Sequence, residues 1–185
     1  GVDVDMCQRR YKRILDHARK NLEPMEMLAA TSALEHFTAC FADQFFKNPE
    51  LSRGADPKVL ALWAWHAAEE SEHRATCYDI YKVTGGTYGH RVATLIGSWA
   101  LILYAAMLNT LILLKRDGKL FTLDTLKGIA YLFGRKGLVT GLLPAFFDYL
   151  KPRFHPWKGI DGQAIAKWQA ENRRYVQAIP DQDAA

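Results

Sequence analysis

WHAAEESEHRATCYDIY, residues 65–81, decides how the rest of the chain is read. Each residue of an α-helix turns by about 100°, so residues three, four and seven apart share a face. His66, Glu70 and His73 therefore project in one narrow stripe with Glu69 at its edge, and Val59, Leu62, Trp63, Cys77 and Ile80 extend it above and below. The ionisable groups are expected in the apolar face, while Glu72 and Asp79 point elsewhere as solvated acids. Burying an unpaired carboxylate is costly, so such a stripe needs partners. A divalent cation is the simplest one, and Glu70-x-x-His73 is the spacing by which bundle helices place an oxygen and a nitrogen on one metal.

The preceding helical segment repeats the anomaly in smaller form. Glu35 shares a stripe with Leu28, Thr31, Ala39, Ala42 and Phe46, whose two alanines would let a neighbouring helix come close. One acid there, facing one Glu-x-x-His, makes half the ligand set of a four-helix dinuclear carboxylate site. His36 is rotated about 100° away, which suits packing or a hydrogen bond to a ligand better than ligation itself. Each residue taken singly has an ordinary alternative. Glu69 and His73 could form an i,i+4 surface pair, and His66 could be a satisfied core histidine.

Apolar residues recur at three- and four-residue intervals nearly throughout, which predicts an all-α chain. Helices are expected over 4–20, from Pro24 to about Phe46, and from Pro57, capped by Asp56, unbroken to about Val83, where TGGTYG ends it. VATLIGSWALILYAAMLNTLILL, residues 92–114, is long and apolar enough to cross a bilayer, but a central helix enclosed by its neighbours is the preferred expectation. Shorter amphipathic helices follow over 121–133 and 138–150, then the turn-rich PRFHPWKG and a last helix over about 160–177.

The 185 residues, 49% hydrophobic and 24% charged, suit a single globular domain over 1–185. Within it, residues 20–85 carry the metal-site helices, 90–150 the strongly apolar helices and 160–185 the terminal helix and tail. A net charge of +4 spread in small groups favours no nucleic-acid partner and leaves a weak attraction to anionic membrane surfaces. Cys7, Cys40 and Cys77 are widely spaced without a C-x-x-C pair, which reads as free thiols in a reducing cytoplasm.

With ALEHFTA (33–39), WHAAEESEHRATCYDIY (65–81) and YLKPRFHPW (149–157) side by side, the sequence resembles a bacterial family of predicted metal-dependent hydrolases with ferritin-like helical bundles. The resemblance implies Glu35, Glu70 and His73 as metal ligands, with His66 and Glu69 at less certain positions and Glu69 as a candidate catalytic base. Members carry, ahead of this region, a Gly-Glu helix and a Gln-Glu-x-x-His helix that nothing here matches. The chain, which lacks an initiating Met, is accordingly expected to be the C-terminal part of a longer member. The half-site would then be completed by that missing part or, in a homodimer, by twofold symmetry.

The expected cofactor is a divalent metal, iron first, with zinc or manganese as alternatives because imidazole and carboxylate serve all three. Hydrolysis of a small-molecule or lipid-like substrate leads. A di-iron oxidase or oxygenase is the close rival, and a non-catalytic module that associates with membranes or oligomerises is the reading from a different class.

Overall fold

The computed structural model describes residues 4–158 and 162–172, and among them every regular element is helical. The helices are α1 (Val4–Asn21), α2 (Pro24–Lys47), α3 (Pro57–His73), α4 (Thr76–Val83), α5 (Tyr88–Arg116), α6 (Leu123–Phe133), α7 (Leu138–Tyr149) and α8 (Gln163–Glu171). Residues 160–161 and 173–177 of the expected last helix lie outside the described residues.

Helix starts follow local chemistry. Glu23 and Glu26 close a reciprocal capping box around the start of α2, with Pro24 in its first turn. The Asp56 carboxylate accepts from the backbone N–H groups of Lys58 and Val59, as expected, and Thr87 and Thr122 cap α5 and α6 by the same device. The stop after α4 is equally local. Gly85 takes φ +90, and at Gly86 an added Cβ would overlap the buried Tyr81 ring.

Helix α2 is the central element, packed by α3 and α4 on one side and by α5 and α7 on the other. The core joins α2 to α5, α7 and, through Tyr78, to α4: Ala33, Ala39, Cys40, Tyr78, Leu95, Trp99, Leu142, Tyr149 and Phe154. His36, 1% exposed, sits within it between the Tyr149 and Phe154 rings, at centroid distances of 4.8 and 5.1 Å, and its Nε2–H donates to the Ala145 carbonyl at 3.1 Å. Burial is the main reason its pKa falls from 6.5 to about 4. The Arg91 guanidinium lies 4.7 Å from the Tyr149 ring and donates to the Lys151 carbonyl, so YLKPRFHPW closes this end of the core.

Three expectations are corrected. The helix expected over 57–83 breaks at Arg74 and Ala75, so Cys77 and Ile80 do not continue the stripe of α3. Helix α3 also turns a different face inward: Ala64, Ala67, Ala68 and Ser71 are buried, while Val59, Leu62 and Trp63 are exposed. Small side chains allow two helix backbones to approach closely, and that contact wins over burying the larger groups. Finally, α5 is not enclosed. Only 17% of its most apolar stretch is buried, and Arg91, Leu95, Trp99 and Ala105 are its buried residues.

Candidate metal centre

Glu35 and Glu70, two of the acids singled out from the sequence, each bond across the seam where α2 packs with α3 and α4. Glu35 is half-buried on α2, and its carboxylate accepts the Cys77 backbone N–H at 3.1 Å and the Cys77 thiol at 2.9 Å. The reason lies in α4, whose first turn has Ala75 in the cap position and no capping side chain of its own. Glu35 supplies from across the seam the acceptor, and the negative charge, that a helix N-terminus favours. The Cys77 thiol is pushed up to about 12, first by burial and then by the hydrogen bond and charge of Glu35. It is therefore a protonated donor at neutral pH rather than a thiolate ligand.

Glu70, half-buried on α3, faces the same seam. Thr38, three residues beyond Glu35, donates its hydroxyl proton to Glu70 Oε2 at 2.6 Å. The same hydroxyl lies 3.1 and 3.2 Å from the Glu35 and Leu34 carbonyls, but a single proton goes to the shorter, charged acceptor. On its other side Glu70 Oε1 lies 3.5 Å from His66 Nε2, an exposed imidazole whose ring stands against Trp63. Glu69 is half-buried one step round the helix, and His73 is exposed at the C-terminal end of α3. The structure thus brings Glu35 and Glu70 to one seam with His66 beside Glu70, and leaves His73 on the outer surface.

Thr38 and Cys77 are the residues that spacing did not single out as partners. Thr38 was legible in one respect, because a hydroxyl three residues from Glu35 shares its side of the helix. Cys77 was not, because its approach to Glu35 depends on the break at Arg74–Ala75.

In donor type the seam suits a divalent ion, offering two carboxylates and an imidazole. In number it falls short: among the described residues no three His, Cys, Asp or Glu side chains are grouped so as to hold a metal. Thr38 and the Cys77 groups already satisfy the two carboxylates, so their partial burial does not itself require an ion.

An all-α protein whose carboxylates on neighbouring helices bond across the helix packing is the class that fold and site define. Within that class, the family model described as predicted metal-dependent hydrolase matches residues 1–159, and the chain belongs to that family. No curated protein and no solved structure shows significant similarity to it. The family's description implies dependence on a divalent metal.

Proposed function

We propose that the chain is a metal-dependent hydrolase in which Glu70 and His66 supply part of an ion's donor set at the α2–α3 seam, joined by Glu35 once a second copy completes the site, with His73 further along α3 and Glu69 as the base. The observation that carries this reading is Thr38 donating to Glu70 within one turn of Glu35, so that the Glu70 carboxylate lies against α2. A bound divalent ion would supply a water acidified to near neutrality. Iron, zinc and manganese all accept these donors, iron being our first choice.

The remaining donors would come from a second copy. His66 and His73 lie on the face of α3 where Val59, Leu62 and Trp63 stand exposed, and a twofold meeting of that face would bring two donor sets together. The apolar groove between α2, α5 and α7 gives the seam no support for a lipid-like substrate, because Phe37, which lines it, points about 200° round α2 from Glu35.

The test is the metal content and solution mass of the chain after dialysis against iron, zinc or manganese. The expected result is a metal-loaded dimer, with Glu70→Gln and Glu35→Gln losing the ion and Thr38→Val binding it about tenfold more weakly. A wild-type chain that holds no ion in any oligomeric state would refute the proposal, as would Gln variants that load like the wild type. An iron-loaded protein that consumes oxygen would move the reading to oxidase or oxygenase chemistry.

A further inference from the structure

We infer that the exposed apolar sides of α5 and of α6 dock on an anionic lipid bilayer, on which the protein lies without crossing it. Exposed apolar side chains concentrate there. On α5 they include Ile96, Leu101, Tyr104 and Met107. On α6, Leu123, Leu126, Ile129 and Phe133 recur along one side at helical spacing, and the adjoining Phe121 is 93% exposed. Exposed apolar surface on this scale marks an interaction site, and an amphipathic helix such as α6 is the form that lies in the plane of a membrane interface.

Charge selects the occupant. Between Val92 and Phe147 the chain carries six basic residues and two acidic ones, an excess of four that equals the net charge of the whole chain, +4. Lys115, Lys119, Lys127, Arg135 and Lys136, at the end of α5, within α6 and in the adjoining turns, are all exposed. Exposed apolar side chains with exposed cations in the same stretch of chain match a bilayer with acidic headgroups, where each basic residue near the surface adds attraction. A second copy would place this positive stretch against its own likeness.

The same helix in isolation would qualify as a membrane span, since its 29 residues extend about 43 Å. Its contacts argue for lying flat instead. Trp99 donates its indole N–H to the Ala33 carbonyl of α2, and Leu95 is packed in the same core, so a spanning α5 would draw α2 and its Glu35 and Asp43 into hydrocarbon. Near the other end, Asn109 is held by Arg10 and by the Tyr11 hydroxyl of the basic helix α1. Docking by one face keeps these polar partners in water. The groove of about 300 Å³ lined by Phe37, Ile96, Trp99, Leu103, Leu142 and Phe146 opens beside this face and suits part of an acyl chain of the docked leaflet.

The inference does not rest on the metal centre, which lies on the other side of α2. Flotation of the full chain with vesicles of phosphatidylcholine, with and without phosphatidylglycerol, tests it, beside solution mass in detergent-free buffer. Expected are flotation with the phosphatidylglycerol vesicles, release by salt, a loss of about fivefold for each of Lys119→Glu and Lys127→Glu, and about tenfold or more for Phe121→Asp. These positions are exposed, and unchanged helical circular dichroism verifies that the variants fold. Three results would overturn it: no flotation with either vesicle, a dimer abolished by Phe121→Asp that ignores vesicles, or bound protein that resists both salt and alkaline carbonate, the behaviour of a span.

Discussion

Replacing His36 by glutamine separates the titration of a buried imidazole from its packing. The ring is 1% exposed, enclosed by Trp99, Tyr149 and Phe154, with the Cys40 thiol 3.7 Å from Nδ1 and Arg91 and Asp148 as the charges that act on it. Burial lowers its pKa from 6.5 to about 4, a preference for the neutral ring of about 3 kcal/mol. The folded value lies below the unfolded one, so the unfolded chain takes up the proton first. The stability held by the neutral ring is complete above about pH 6.5, falls as the pH drops toward 4, and levels off below. Glutamine can still donate to the Ala145 carbonyl but carries no titrating group. His36→Gln should therefore cost about 1–3 kcal/mol at neutral pH, through lost ring packing. Urea unfolding of both proteins across this range gives the difference between them. That gap should close by about 3 kcal/mol, or reverse, by pH 4. A gap constant to within about 0.5 kcal/mol would show that His36 does not govern the acid sensitivity of the fold.

Two further outcomes follow from the seam and from the turn after α4. Glu35→Ala removes the acceptor that serves the first turn of α4 and should cost about 1–2 kcal/mol in denaturant unfolding. Because Glu35 is also the second cause, after burial, of the raised Cys77 pKa, the variant thiol should titrate below about 12 and alkylate faster with iodoacetamide at alkaline pH. Unchanged alkylation would mean that burial alone holds the proton. Gly86→Ala should cost about 2 kcal/mol or more, because its methyl overlaps the buried Tyr81 ring, whereas alanine at Gly89, with open space around it, should cost under about 1 kcal/mol. Equal melting temperatures for the two variants would refute that contrast.

The all-α character and most helix starts were legible in the sequence because their causes are local. Asp56 before Pro57 caps a helix wherever it occurs, and Gly85–Gly86 permits the turn that ends α4. The break at Arg74–Ala75 has no such signal, since the surrounding stretch contains neither glycine nor proline. Its distinguishing partners come from elsewhere: Glu35 takes the free N–H of Cys77, and Trp157 receives the Arg74 guanidinium at 3.9 Å. The face of α3 was misjudged for a related reason. Periodicity weighs side chains by hydrophobicity and so selects Val59, Leu62 and Trp63, but the fit of one helix on another is decided by shape, and the row Ala64, Ala67, Ala68 and Ser71 fits. The acid pair was legible because carboxylates on helix faces stand out chemically. The hydrogen bonds that satisfy them depend on tertiary placement.

Helix α2 divides the molecule into two chemistries, and the division follows from its own sequence. Glu35 and Thr38 lie toward α3 and α4, where the neighbours offer the Glu70 carboxylate with His66 beside it, and the thiol and backbone N–H of Cys77. Ala33 and Phe37 lie toward α5 and α7, where the neighbours are Trp99, Leu142 and Phe146. His36 falls between the two and joins the apolar side, which is why it is neutral rather than a ligand. A charge change on the α5–α6 face has no shared contact through which to disturb Glu35 or Glu70, so Lys127→Glu should alter vesicle binding without altering metal content. Joint loss of both in that variant would mean that seam and lipid face are one functional unit, and that the separation drawn along α2 is wrong.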